Sequence, residues 1–237
     1  TASLSKFFPI PEAGLLGSSV HKLKPLQLQR QGVKAQVKGW VDVFETGTKF
    51  KRIAGLNHIL GAVFSLKRGN RMAENPIATQ EPATADLMMK SCDMARIRHK
   101  PLGSSMLLRA LLPRGRIIAQ RQRNFRLYSA LFSEIDGATG LVALPTEPTA
   151  PYVYPLWVRD AERIYQGLRT EGIPVFRWDT LWPGTPMLEH DVGLPWSRHV
   201  LQLLCHQDLS SRDIEAVART ILMLLSSTKK MSQGQGR

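Results

Sequence analysis

The clearest alternation of apolar and polar residues lies in the last hundred residues of the chain. The aromatic and β-branched residues of "PYVYPLWV" (151–158) predict a strand, and "IPVFRW" (173–178) predicts a second one. Between them, "DAERIYQGLRTEG" (160–172) predicts a helix with Asp160 as its N-cap and Gly172 as its C-cap glycine. The pattern therefore predicts a strand–helix–strand unit.

A longer helix follows this unit. "VLQLLC" (200–205) predicts a third strand, and "LSSRDIEAVARTILMLLSS" (209–227) predicts a helix that begins with a capping box between Ser210 and Asp213. The apolar residues that share one helical face are Ile214, Val217, Ala218, Ile221 and Leu225. The order of elements predicts a small α/β domain with helices packed on a sheet. The polar residues 229–237 predict a frayed tail.

The region before these strands has a helical pattern from Ser104 to Phe132, interrupted at Pro113. The apolar residues that can share a face are Ile117, Ile118, Phe125, Tyr128, Leu131 and Phe132. We expect the opposite face, which carries Arg121, Arg123 and Arg126, to be solvated. We expect Asn124 and Arg123 to fix this helix where it joins two domains.

The first hundred residues are less regular. Pro9 and Pro11 keep residues 1–20 out of a helix, and "LLGSSV" (15–20) predicts a buried strand or turn. "LNHILGAVFSLKR" (56–68) is helical in period, and residues 71–86, with two prolines and many small or polar residues, predict a loop or linker.

Composition limits the class of protein. With 237 residues and 43% hydrophobic residues, the chain can form a folded core, and no apolar run is long enough to span a membrane. The net charge of +13 is uneven: residues 1–130 hold 22 basic and 7 acidic residues, and residues 131–237 hold 10 and 12. A basic half indicates either a polyanionic partner or a fragment whose acidic complement lies elsewhere. The basic residues are dispersed and lack interleaved aromatics, so we do not expect nucleic acid to be the partner.

The cysteines and histidines show no metal-binding pattern. Cys92 and Cys205 lie far apart, without the spacing of a zinc site, and we expect two reduced thiols in a cytosolic protein. His206 has no partner at ligand spacing, so we expect a structural histidine after a strand. The aromatic residues on the predicted strands (Tyr152, Tyr154, Trp157, Phe176 and Trp178) are expected in a core or a domain face.

Four stretches together resemble the C-terminal portion of the DegT/DnrJ/StrS-type sugar aminotransferases, which are fold-type-I pyridoxal-phosphate enzymes. They are "ASLSKFFPIPEAG" (2–14), "IAQRQRNFRLYSALF" (118–132), "PYVYPLWVRDAERIYQGLRTEGIPVFRW" (151–178) and "LLCHQDLSSRDIEAVARTI" (203–221). The first is similar to the family's lysine segment, in which a serine precedes the lysine and an acidic–small–Gly turn follows. The last two are specific as a pair.

The resemblance implies an α/β chain with the aspartate aminotransferase-like fold of pyridoxal-phosphate-dependent transferases. Residues 1–100 would be a remnant of the large cofactor-binding domain, with 21–100 unassigned, and residues 101–237 would be linking helices and the small C-terminal domain. By resemblance, Lys6 forms the internal aldimine with pyridoxal 5′-phosphate, and Ser3 and Ser5 bind the phosphate or orient Lys6. A lysine in this role attacks the cofactor aldehyde and then moves the substrate proton.

The same resemblance implies the substrates. A cytoplasmic homodimer would transfer an amino group from an amino acid such as glutamate or glutamine to a keto-sugar nucleotide. Departures from the family pattern are Pro11-Glu12-Ala13-Gly14 at the turn, Leu204 in place of a proline, and the absence of the first half of the large domain, which holds the aspartate under the pyridine nitrogen. Two alternatives stay open: a truncated homologue without catalysis, and a basic polyanion-binding module that uses the helix at 114–126.

Overall fold

The structure, a computed structural model, describes a chain of two compact units, Thr1–Leu112 and Pro113–Arg237. The residues that it describes are 2–10, 12–49, 94–143, 149–177, 185–186, 188–191 and 193–234. The predicted helix at 56–68, the predicted linker at 71–86, Cys92 and Trp178 lie outside the described residues. The boundary after Leu112 assigns helix Gly103–Leu111 to the first unit, whereas the sequence grouped it with the second.

The first unit begins with a small hairpin. Strands β1 (Ala2–Ser3) and β2 (Gly14–Leu15) pair antiparallel, and a 3₁₀ turn at Leu4–Lys6 directly follows β1. The prediction of a buried element at 15–20 was wrong, because Leu15, Leu16 and Val20 are all exposed. β2 is a two-residue edge strand, which is too short to bury both of its faces.

Two helices form the rest of the first unit: α1 (Val33–Lys49) and α2 (Gly103–Leu111). A Cβ on Gly39 would stand 2.7 Å from Leu102 Cδ1, so glycine allows α1 to approach the residue before α2. A 3₁₀ turn at Met94–Arg98 precedes α2, and the segment after it pairs in parallel with Gln29. The sequence missed α1, although Val33, Val37, Trp40, Val41 and Phe44 have helical spacing.

The second unit is a four-stranded antiparallel sheet with helices packed on it, which confirms the predicted small α/β domain. In chain order its elements are α3 (Arg114–Leu131), β3 (Ala138–Gly140), β4 (Val153–Val158), α4 (Ala161–Thr170), β5 (Val175–Arg177), α5 (Gly193–His199), β6 (Val200–Leu204) and α6 (Ser211–Gly234). The strand order is β3–β4–β6–β5. The sequence missed β3 and α5, and α6 continues to Gly234 where a frayed tail was expected.

The core of this unit lies between the sheet and its helices. Alternate residues of β4 are buried (Tyr154, Leu156, Val158), as the strand period requires. They pack with buried residues of α3, α4, β6 and α6: Phe125, Tyr128, Ile164, Leu168, Leu201, Leu203, Ile214, Ala218 and Ile221. Of the strand aromatics expected in a core or a domain face, Tyr154 lies in the core, whereas Tyr152 and Phe176 are 43% and 48% exposed because they lie beyond the strand or on its other face.

Two of the predicted helix-end signals are found, the glycine after α4 and the capping box of α6, whereas Asp160 precedes α4 without a side-chain capping hydrogen bond. Gly172 has φ of +71° after α4, and Ile173 N–H donates to Leu168 O at 2.8 Å, which closes the helix end in a Schellman-type turn. At the start of α6, Ser210 N–H donates to Asp213 Oδ2 at 2.7 Å and Asp213 N–H donates to Ser210 Oγ at 3.3 Å, so the capping box is confirmed.

Candidate functional sites

The three candidate residues of the lysine segment lie together in one turn. Ser3 ends β1, and Ser5 and Lys6 belong to the 3₁₀ turn that follows it. All three side chains are exposed. The Oγ atoms of Ser3 and Ser5 are 2.9 Å apart and share a hydrogen bond. The two hydroxyls therefore form a polar pair, and Ser5 directly precedes Lys6.

The turn is fixed on both sides of Lys6. At its start, Leu4 N–H donates to Ala13 O at 3.0 Å, which closes the loop between β1 and β2. After Lys6, Phe8 and Ile10 are buried, and the Phe7 and Phe8 rings make an edge-to-face contact with centroids 4.5 Å apart. Lys6 is therefore presented at the surface of a loop whose two ends are held.

Glu12 connects this loop to the rest of the first unit. Its Oε1 accepts a hydrogen bond from Leu102 N–H at 2.6 Å, directly before α2, and its carboxylate accepts from Gln31 Nε2 at 3.1 and 3.2 Å. Gln31 Nε2 also donates to Lys100 O at 2.9 Å. A carboxylate at a helix N-terminus interacts favourably with the helix dipole. The acidic residue of the turn therefore anchors the lysine loop to α2.

Ala13 has an unusual backbone conformation. Its φ is +149°, in the range that favours glycine. An alanine in this conformation carries a backbone strain that sequence inspection alone does not reveal.

In the second unit, α3 holds the turn that follows β6. Asn124 is fully buried, and its Nδ2 donates to His206 O at 2.8 Å and to Leu209 O at 3.4 Å. Gln120 Nε2 donates to Leu209 O at 3.2 Å and to Asn124 Oδ1 at 3.0 Å. Asn124 therefore has an anchoring role within this unit, and His206 lies at the anchored turn.

Arg121 is a correction to the sequence analysis. It was expected on a solvated face, but it is 2% exposed, its Nε donates to Gln207 Oε1 at 2.8 Å, and its guanidinium lies 5.9 Å from the Tyr152 ring centroid. Burial lowers the pKa of the Arg121 guanidinium. The nearby Tyr152, Cys205 and Asp208 act in the opposite direction and raise that pKa, but by less. The helical pattern does not predict this burial, because it depends on polar partners in a turn that is distant in sequence.

Four other arginines of α3 stay exposed: Arg114, Arg116, Arg123 and Arg126. Arg123 donates to Gln120 Oε1 on the same helix. This is the expected arrangement for a solvated helix face. Cys205 is a buried thiol, and burial raises its pKa to about 12, which makes it a poor nucleophile.

Within the described part of the chain, no group of three or more His, Cys, Asp and Glu side chains is arranged to hold a metal ion. Among those same residues, no helix has the length and hydropathy that crossing a membrane needs.

Comparison with known proteins gives matches only among solved structures. No protein-family model matches the chain, and no curated protein matches it. The chain is similar to an aminotransferase, TlmJ, from Streptoalloteichus hindustanus, with 21% identity over 53% of this chain and a TM-score of 0.42. It is also similar to a DegT DnrJ EryC1 StrS aminotransferase from Brucella abortus, with 21% identity over 52% of this chain and a TM-score of 0.41.

A third structure overlaps more of the chain. PseC from Helicobacter pylori, an aminotransferase involved in the biosynthesis of pseudoaminic acid, matches 74% of this chain at 16% identity with a TM-score of 0.45. The chain covers 35% of TlmJ, 37% of the Brucella structure and 47% of PseC, so it spans less than half the length of these proteins. The matched structures are aminotransferases, the class that the sequence resembles.

Proposed function

We propose that this chain is the C-terminal part of a pyridoxal 5′-phosphate-dependent aminotransferase that moves an amino group from an amino acid to a keto-sugar nucleotide. The observation that supports this proposal is the presentation of Lys6. Its loop is closed by the Leu4–Ala13 hydrogen bond and anchored through Glu12, while Lys6 itself is exposed beside the Ser3–Ser5 pair. A reactive lysine needs this combination of a fixed backbone and an accessible amine.

The residues of the loop fit the cofactor in part. The Lys6 amine is the group that would hold the cofactor aldehyde, and the Ser3 and Ser5 hydroxyls are donors for phosphate oxygens. When bound, pyridoxal phosphate supplies an electron sink for the substrate carbon that loses its proton. Lys6 would carry that proton at its Nζ. A cavity of about 150 Å³ in this unit, beside Glu12 and Gln31, does not include Lys6.

Because Lys6 is exposed in the single chain, the proposed function requires another chain to cover it. In the proposal, a second copy of the chain in a cytoplasmic homodimer covers the loop and excludes water from the amine. Exclusion of water from the lysine favours its uncharged, nucleophilic form. Nucleotide sugar and amino-acid donor would bind at the same covered surface.

The test uses the purified chain and pyridoxal phosphate. We expect a visible absorption band, and, after borohydride reduction and peptide mapping, a phosphopyridoxyl label on the peptide that contains Lys6. Lys6→Ala should remove the label, whereas Lys24→Ala, an exposed lysine of the same unit, should leave it unchanged. Ser3→Ala combined with Ser5→Ala should weaken cofactor binding about tenfold, as expected for lost hydrogen bonds to a charged phosphate.

Two results would overturn the proposal. A label spread over many lysines, or no label from a chain whose second unit is folded, would favour the truncated homologue without catalysis. Affinity for a polyanion that falls steeply with salt and depends on Arg123 and Arg126, without any Lys6 label, would favour the binding module.

A further inference from the structure

The second unit contains a cavity that the proposed function does not use. Its volume is about 430 Å³, and its walls come from the start of α4, from β5 and from the end of α5. This volume falls within the range of about 300–1,000 Å³ that small-molecule sites have. Every described residue that lines it belongs to the second unit, and Lys6 is not among them.

Arginine side chains are the main feature of the cavity wall. Arg177 on β5 has a side chain only 8% exposed, and its guanidinium lies 5.3 Å from the Tyr165 ring centroid. It donates through Nη1 to Glu162 and through Nη2 to Arg198 O at 3.1 Å. A guanidinium held from three directions is a preorganised cation, which costs little entropy when an anion binds.

Arg198 differs from the other two arginines of the cavity. Arg159 is paired with Asp136 at 2.9 Å, and Arg177 is paired with Glu162. Within the residues that the structure describes, the Arg198 guanidinium has no hydrogen-bond or ion-pair partner, and it is exposed at the cavity. It therefore supplies positive charge that no carboxylate of the described residues neutralises.

His199 adds a second polar group with a fixed orientation. Its Nδ1 lies 3.1 Å from Val158 O, and its ring stacks on Trp157 with centroids 5.4 Å apart. A carbonyl only accepts hydrogen bonds, so Nδ1 carries the proton and Nε2 of the neutral ring is a hydrogen-bond acceptor. The orientation of this side chain is set by the protein before any ligand arrives.

The carboxylates of the wall are directed to other partners. Asp160 accepts from Arg163 Nε at 2.8 Å and makes no side-chain hydrogen bond to the first turn of α4, which lines the cavity. Glu162 accepts from Gln166 Nε2 at 2.9 Å as well as from Arg177. The start of a helix adds partial positive charge to that of the arginines.

We propose that this cavity binds a phosphate-bearing anion, with Arg198 and Arg177 as its cationic contacts and His199 Nε2 as an acceptor for a ligand hydroxyl group. Guanidinium groups match phosphate oxygens in geometry, and the cavity has room for more than one phosphate group. The ligand is either a free phosphate compound or the diphosphate of a nucleotide, and the two sources share the same contacts.

The test is isothermal titration of the full chain with inorganic phosphate, pyrophosphate and uridine diphosphate at low salt. We expect saturable binding of pyrophosphate that is tighter than that of inorganic phosphate, and that weakens as salt screens the charges. Arg198→Gln should weaken pyrophosphate binding about tenfold, and Arg198→Lys should restore part of the loss. Arg169→Gln is the matched control, because it removes the same charge from the far end of α4.

The outcomes separate the possibilities. Tighter binding of uridine diphosphate than of pyrophosphate identifies a nucleotide as the source, and equal binding identifies a free phosphate compound; both support the site. Equal weakening by Arg198→Gln and Arg169→Gln, or no saturable binding of pyrophosphate, would overturn it. Because Lys6 plays no part, the result stands whether or not Lys6 takes the cofactor label.

Discussion

The two units of this chain differ in how much apolar surface they bury. The second unit has a closed core in which Leu156, Ile164, Leu201 and Ile214 are all 0% exposed. Among the described residues of the first unit, the buried apolar side chains are Phe8, Ile10 and Leu102. Burial of apolar area is the main favourable term in folding, so we expect the second unit to be the stable part of the described chain.

The first unit also exposes one face of α1. Val33 is 80% exposed, Val37 57%, Trp40 37% and Phe44 42%, and the four have the spacing of a single helical stripe. Exposed apolar stripes of this kind are typical of surfaces that pack against other protein. Among the described residues, the lysine loop therefore belongs to the unit that buries less apolar surface, which agrees with a proposal that needs a second copy.

Truncation of a core residue is expected to have the largest effect. Leu156→Ala in β4 removes a fully buried side chain and should lower the free energy of unfolding of the second unit by about 2–5 kcal/mol, through lost burial and a residual cavity. Leu107→Ala, 45% exposed on α2, should cost less than about 0.5 kcal/mol. Hydrogen exchange of peptides from each unit measures both changes, and similar costs in the two variants would contradict the comparison.

The anchor of the lysine loop is expected to have the next largest effect. Glu12→Ala removes the acceptor for Leu102 N–H at the start of α2 and should destabilise the first unit by about 1–2 kcal/mol. Glu12→Gln keeps an acceptor oxygen and should cost less. Faster exchange of the Leu102 amide in Glu12→Ala, with unchanged exchange in β4, is the expected signature; an unchanged Leu102 amide would show that Glu12 is not the anchor.

The sequence predicted the second unit better than the first, for a physical reason. Strand alternation in β4, the glycine after α4 and the Ser210–Asp213 box are local signals, and each was found. The burial of Arg121 and the Glu12–Leu102 contact depend on residues that are distant in sequence, so local patterns do not predict them. Lys6, Ser3 and Ser5 came from a resemblance, and their roles stay predictions.

An alanine-to-glycine substitution is expected to change the free energy of unfolding in opposite directions in the two units. Ala13→Gly removes the side chain from a residue at φ of +149° and should stabilise the first unit by up to about 1 kcal/mol. Ala119→Gly, at an exposed position inside α3, should instead destabilise the second unit by about 1 kcal/mol. Thermal unfolding followed by hydrogen exchange separates the two, and a destabilising Ala13→Gly would show that no strain is stored there.

The smallest effect is expected from the capping box of α6. Hydrogen bonds from the Ser210 hydroxyl and backbone N–H to the Asp213 carboxylate lower the pKa of Asp213 below its ordinary value of 3.8. A carboxyl group whose pKa is lower in the folded state stabilises the fold above the unfolded pKa, and this contribution is lost as pH falls through the folded pKa. In Asp213→Asn, the stability of α6 should therefore depend less on pH between about pH 4 and the pKa that Asp213 has in the folded state. Because the side chain is exposed, we expect the change to be small. Amide exchange in the first turn of α6, measured against pH for both proteins, gives the result, and equal pH dependence would show that the box contributes nothing.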